Sequence, residues 1–372
     1  MKSTIISSVR LSGSGHDHKK NNFKIVCKTL KISIITFIAL MISCSKDDSI
    51  VPQTVEPIAT VYASGYESNG LINVAKYWKN GVATTLSDGI KDAEARSIFV
   101  YNNDVFTTGR QFNGTKNVAK YWKNSTEFIL SDGTQNAEGR SIFVSNNDVY
   151  VAGYEYNGSK NVAKYWKNGL LPAVNLTDGS KSAEVYSIYV VNNDVYVAGY
   201  EFGTTHAVAK YWKNGAAVNL SDGTKTAFAN SIFVINSDVY VAGYENNGTK
   251  NVAKYWKNGV ATSLSDGTNN AIAISVFVVN NDVYFAGEES NGTVFVAKNW
   301  KNTTGINCSN GNLNAGAYSV YGFNNNFYTA GYEANDSDTK YIAKYWKNGL
   351  LPAVNLTNGT QNAIAYSIFV TN

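Results

Sequence analysis

The chain has 372 residues, 44% of them apolar, 13% aromatic and only 16% charged, with 25 tyrosines and three cysteines. Its formal charge of +4 is concentrated at one end: residues 1–44 hold seven Lys/Arg and one Asp (+6), leaving 25 basic against 27 acidic residues (−2) in the rest. A near-neutral, faintly acidic body argues against a nucleic-acid partner, which would need a basic face. Cys27, Cys44 and Cys308 are too few for a disulfide framework. With His16, His18 and His206 as the only histidines, a Cys/His zinc site is excluded as well.

Lys19, Lys20, Lys24, Lys28 and Lys31 precede an apolar run from Ile32 to Ser43. Twelve helical residues span roughly 18 Å, too short for a hydrocarbon core of about 30 Å. A basic segment, a short apolar segment and a small residue describe a secretory signal peptide, so His16-Asp17-His18 receives no metal reading. The run ends Met41-Ile42-Ser43-Cys44 and continues Ser45-Lys46-Asp47-Asp48. The first group resembles a bacterial lipobox, and the second is similar to the acidic export signal of Bacteroidetes-type lipoproteins. That resemblance implies a leader over 1–44, lipidation of Cys44, anchoring to the outer membrane and display at the cell surface. Residues 45–58, with Pro52, Pro57 and three acidic residues, read as a flexible tether.

From residue 59 onward one unit recurs. VAKYWKNG begins at Val74 and returns with small changes at 118, 162, 208, 252, 296 and 342. It carries every tryptophan of the chain: Trp78, Trp122, Trp166, Trp212, Trp256, Trp300 and Trp346, spaced 44, 44, 46, 44, 44 and 46 residues apart. A period in the 40s marks a repeat architecture. Within the unit around Trp166, four apolar runs (141–144, 148–155, 161–167 and 173–176) are separated by Asn146-Asn147, Asn157-Gly158, Asn168-Gly169 and a loop at Asp178-Gly179. Asn-Gly between apolar runs signals a two-residue type I′ hairpin, so each unit is a four-stranded antiparallel meander.

A two-residue loop at Asn157-Gly158 sets Glu155 opposite Lys160 and Gly153 opposite Val162. Alternation then places Val149, Val151, Val162, Lys164 and Trp166 on one face, and Tyr150, Ala152, Tyr154, Ala163 and Tyr165 on the other. Both faces are apolar enough to require another sheet, which a closed ring supplies. The DVYVAG-like run and the SIFV-like run each occur seven times, and the last of these, Ser367 to Asn372, has no partner downstream. It is expected to complete the first sheet. The chain therefore resembles an all-β, seven-bladed β-propeller over 59–372, and its rhythm is loosely similar to Kelch repeats. It departs from Kelch in having one glycine before Tyr154 and its tryptophan on the third strand, and it lacks the Gly-His and Trp-Asp signatures of WD40 repeats.

The tryptophans read as wedges between blades. Lys76, Lys120, Lys164, Lys210, Lys254, Lys298 and Lys344 share that face and need partners. The loop acids Asp88, Asp132, Asp178, Asp222 and Asp266, or the hairpin acids Glu67, Glu155, Glu201, Glu245, Glu289 and Glu333, are candidates for inter-blade ion pairs. Function is sought where the units stop agreeing, just before the inner strand: Glu94/Arg96, Glu138/Arg140, Glu184/Tyr186, Phe228/Asn230, Ile272/Ile274, Gly316/Tyr318 and Ile364/Tyr366. Arg96, Arg110 and Arg140 are expected on one face with the hairpin-tip aromatics Phe112, Tyr156 and Phe202. Together with Tyr186 they form a candidate ligand-binding patch for a carboxylate or a sugar, unless Glu94 and Glu138 simply neutralise the arginines. Residues 306–315 break the repeat, and Cys308 is expected on an irregular fourth strand. The Asp-Gly loops lack calcium-loop spacing, and no nucleophile–base set or cofactor loop is visible. The expected function is a monomeric, non-enzymatic binding module for a glycan or protein, without metal or cofactor. The alternatives are an adhesion scaffold, or a polysaccharide lyase or glycosidase using Glu94, Glu138 and Glu184.

Overall fold

The computed structural model describes residues 59–169 and 172–372; the expectations for the leader, Cys44 and the tether lie outside them. The described residues form seven four-stranded antiparallel sheets. Blade 1 contains β1 (Thr60–Ser68), β2 (Asn73–Lys79) and β3 (Val82–Thr85) with β28 (Ala363–Thr371) as its inner strand. Blades 2 to 7 follow as 93–129, 137–175, 183–219, 227–263, 271–307 and 315–355. The pairing of Val61 with Val370 and Ala63 with Ile368 closes the ring with the two ends of the repeat array, as expected.

The turns follow from side-chain chemistry. Asn146 (φ 52°) with Asn147 (φ 65°) and Asn168 (φ 56°) with Gly169 (φ 68°) have both central residues left-handed, as a type I′ turn requires. The Asn168 side-chain oxygen accepts from Val149 N–H at 2.7 Å, tying the motif's turn to the second strand. At Asn157-Gly158 the expectation fails. Only Gly158 has positive φ, Asn157 N–H donates to the Lys160 carbonyl, and the Asn157 side-chain oxygen accepts from Ser159 and Lys160 N–H. The loop is four residues long, so Asn161 pairs with Tyr156, Val162 with Glu155 and Trp166 with Val151. The register differs from the expected one by two residues. A shift of two preserves the side each residue faces, which is why the two faces were still assigned correctly.

Trp166 is fully buried among Phe106, Tyr121 and Leu130 of the preceding blade and Ile142 and Val151 of its own. Tyr165, on the opposite face, packs toward Val185, Ile188 and Trp212 of the following blade. The motif thus joins three consecutive blades.

The lysines beside the tryptophans do not pair between blades. Lys164 Nζ lies 2.5 Å from Glu155 of its own hairpin; Lys76–Glu67 and Lys210–Glu201 repeat this at 2.6 Å, and Lys254–Glu245, Lys298–Glu289 and Lys344–Glu333 do the same. The true register makes Glu155 and Lys164 diagonal neighbours on one face, so the nearest acid is intra-blade. Lys120, where Gln111 replaces the acid, turns to Glu127 at 2.8 Å.

The fourth strand before Cys308 is also regular (Thr304–Asn307). Cys308 is buried at the site that Leu86, Leu130, Leu176, Leu220, Leu264 and Leu356 fill in other blades. Its thiol donates to buried Asn299, which replaces the motif tyrosine and also contacts the Phe285 carbonyl and Thr329 of the next blade. The break in sequence is therefore a local exchange of an apolar pair for a satisfied polar one.

Candidate functional site

On each inner strand the ladder skips one residue. The shifts lie between Ala95 and Ser97, Gly139 and Ser141, Val185 and Ser187, Ala229 and Ser231, Ala273 and Ser275, and Ala317 and Ser319, with the equivalent shift opposite Ser64 and Gly65 in β28. The residues released are Arg96, Arg140, Tyr186, Asn230, Ile274, Tyr318 and Tyr366. A bulge bends the strand and re-aims a side chain, and here all seven converge on the channel. The glycine of each second strand permits it: a Cβ on Gly153 would lie 1.9 Å from the Glu138 carbonyl oxygen. The sequence carried a signal for this. Buried Ala93 and Ala95 are followed by buried Ile98 and Val100, so the inward period changes from two to three at the bulge.

Below the bulge the channel is uniform. Each inner-strand serine accepts from the backbone N–H of the next blade, from Ile98 N–H to Ser367 Oγ (3.3 Å) through Ile142 to Ser97 (3.2 Å) and on to Ile368 with Ser319 (3.2 Å), a closed circuit of seven bonds. Deeper, Phe99, Phe143, Tyr189, Phe233, Phe277, Tyr321 and Phe369 touch in a ring with centroids 4.5–4.9 Å apart. Above these layers the seven bulge residues, the serines, Tyr244 and Ile272 enclose a cavity of about 490 Å³.

Its mouth has two unlike halves. Over blades 2 to 4, acids and arginines alternate. Arg96 bridges Glu94 and Glu138, both at 2.7 Å. Arg110 contacts Glu94 at 2.9 Å and Asp92 at 3.3 Å, and Arg140 reaches Glu138 at 3.3 Å and Glu184 at 3.7 Å. Burial alone would push the Glu138 carboxyl up, but Arg140 and Arg96 beside it outweigh this and hold it below the usual carboxylate range. Burial likewise opposes the Arg96 charge, and Glu138, Tyr366 and Glu94 outweigh it. Over blades 7 and 1 the mouth is aromatic, with Tyr66, Tyr332 and Ile364 packed against Tyr318, Tyr341 and Tyr366. Burial pushes the Tyr66 and Tyr154 phenols up to about 12, so they are neutral donors at physiological pH.

The candidate patch is therefore only partly assembled. Arg96, Arg140 and Tyr186 line the cavity. Arg110 is on the same face but is held by its acids outside the lining. Phe112 and Phe202 are exposed hairpin-tip residues, and neither they nor Tyr156 line the cavity; the four-residue loops carry them outward. The arginines are not free forks for a ligand carboxylate, since three cations face four acids. Of these three arginines, only Arg140 keeps an unpartnered buried donor, Nε. Sequence reasoning noted Tyr318, Tyr366, Asn230 and Ile274 as variable without assigning them to the site. Among the described residues, no three His, Cys, Asp or Glu side chains gather where they could hold a metal.

Replacing Glu138 by Gln should destabilise the protein by about 2–3 kcal/mol at neutral pH, because two half-buried guanidinium groups lose a charged acceptor. The folded carboxyl titrates lower than in the unfolded chain. Its contribution is therefore complete above the ordinary glutamate pKa of about 4.3 and is lost as pH falls from there through the lowered folded pKa. The gap between the melting temperatures of the two proteins, followed from pH 8 to pH 3, should narrow below about pH 4.

No protein-family model matches the chain, and no curated protein matches its sequence. Among solved structures it is similar to the acylaminoacyl peptidase of Pyrococcus horikoshii, in an orthorhombic form (11% identity, TM-score 0.43, 77% of this chain and 48% of that one) and uncomplexed (10% identity, TM-score 0.49, 77% and 48%). It is also similar to a puromycin-hydrolyzing peptidase of Mycobacterium tuberculosis (8% identity, TM-score 0.49, 71% and 47%). This chain spans about half the length of each.

Proposed function

We propose that the propeller is a binding module for a glycan, taken at the channel mouth, and that it is displayed at the cell surface through a lipid on Cys44. The observation that carries the reading is the convergence of the seven bulge residues. They occupy the one inner-strand position per blade that is freed from the ladder, they differ between units whose cores are alike, and they surround a cavity of about 490 Å³, within the size range of small-ligand sites. Tyr186, Tyr318, Tyr366 and Tyr244 supply flat apolar faces with hydroxyl donors, and Arg140 Nε supplies an unsatisfied one. Such surfaces suit a polar, uncharged ring. The enzymatic alternative is disfavoured because Glu138, held ionised by arginines, is a poor general acid.

A glycan array probed with the purified full chain should give binding. Arg140→Ala with Tyr186→Ala should reduce it at least about tenfold, and Phe112→Ala should leave it unchanged. Capture of a protein partner without any glycan, or turnover of a polysaccharide, would overturn the reading. For the anchor, Cys44→Ser should move the protein from membrane to soluble fractions.

A further inference from the structure

The serine circuit carries donors that the protein itself does not use. Each Oγ of the circuit accepts one backbone N–H from the next blade, at 3.1–3.3 Å. A serine hydroxyl also has one proton to donate, and none of these seven protons meets an acceptor among the described residues. The seven residues are half-buried rather than sealed, and all of them line the cavity of about 490 Å³. With the wall side of each oxygen taken by an N–H, the acceptor for its proton has to come from the cavity.

The wall at this depth has no gap. The seven bonds link each inner strand to the next, from Ser97 with Ile142 round to Ser367 with Ile98, and the aromatic ring beneath them is equally continuous. No member of the aromatic ring lines the cavity, so the serines are its lowest polar layer. A polymer can lie along a groove that is open at both ends. It can reach a layer encircled by seven linked strands only along the axis, with its end leading.

We propose that the serine ring seats the terminal residue of the glycan, and that the protein therefore recognises a chain end rather than internal residues. The proposal rests on the carbohydrate reading of the same cavity and adds how the chain enters it. A sugar carries hydroxyl oxygens around its edge, each able to accept a proton from a hydroxyl, which matches a ring of neutral donors. An anion fits worse, because Arg96 and Arg140, the cations of the lining, are already met by Glu94, Glu138 and Glu184. An apolar group would leave the hydroxyl protons without an acceptor.

A glycan array whose members are attached through their reducing ends separates end-first entry from binding across the mouth, since each member presents a free terminus. Binding by the unmodified full chain should follow the identity of that terminal residue, with little regard to the residues behind it. Glycans that hold the same residue only internally should bind at least about tenfold more weakly. The methyl glycoside of that residue, free in solution, should displace the protein from the array. Ser231→Ala with Ser275→Ala should weaken binding to the end-matched glycans at least about tenfold. The double variant also loses two wall contacts, so its affinity is read well below its own melting temperature; the comparison of termini uses the unmodified protein and does not depend on it. Binding that follows internal residues would overturn the end-on seat while leaving the carbohydrate reading intact, as would a folded double variant of unchanged affinity. Displacement by sulfate at the concentration of the methyl glycoside would overturn the assignment of the ring to a neutral sugar. Absence of all glycan binding would remove both readings.

Discussion

Deleting Ser367–Asn372 is expected to lower the melting temperature by about 10 °C or more. The segment supplies Ile368 and Val370, both almost fully buried, and each large aliphatic side chain contributes roughly 1.5–3 kcal/mol on burial. It also supplies Phe369 to the aromatic ring and Ser367 to the serine circuit, so two closed rings open at once. The first blade then presents the unpaired edge of β1, including Val61 and Tyr62, to water. A loss on the order of 5 kcal/mol converts to a shift of this size for a chain of this length. Removing only the exposed Asn372 should change little. An unchanged melt for the longer deletion would show that the ring is not held closed by this strand.

Replacing Trp166 by alanine should cost about 3–5 kcal/mol, the range for a large aromatic leaving a cavity in a packed core. The side chain is fully buried between two blades. Its indole Nε1 has no hydrogen-bond partner, and neither do those of Trp78, Trp122 and Trp346. The loss is therefore one of packing and apolar burial, and Trp166→Phe should recover most of it. Denaturant midpoints of the two variants check this: equal destabilisation would point to a polar role for the indole. Because each tryptophan plugs one seam of a closed ring, Trp78→Ala and Trp346→Ala should be as damaging as Trp166→Ala. A smaller effect at the seam beside the ring closure would mean that the blades do not share the load evenly.

How much of the site could be read from sequence depended on whether a residue's partners were local. The positions that vary between units were visible in the alignment of the repeats, and Arg96, Arg140 and Tyr186 do reach the cavity. The hairpin-tip aromatics Phe112, Tyr156 and Phe202 do not reach it, because a four-residue loop replaces the expected two-residue turn. Neutralisation of the arginines was legible as an alternative, since Glu94 and Glu138 stand two residues from Arg96 and Arg140. The link from Arg96 to Glu138 of the next blade was not, as it spans 42 residues of chain.

The sequence by itself determined the period, the four strands per blade, the two faces of each strand and the strand that closes the ring. These follow from side-chain alternation, turn chemistry and counting, each of which acts over a few residues or repeats identically in every unit. Alternation even tolerated the wrong register, because a two-residue slip leaves every side chain on its own face. The tertiary structure decided the register itself, the lysine–glutamate pairs inside each hairpin, and the bulge that turns one residue per blade into the channel. It also decided which charges at the mouth are satisfied. Those outcomes rest on contacts between blades, where the distance along the chain carries no information about the distance in space.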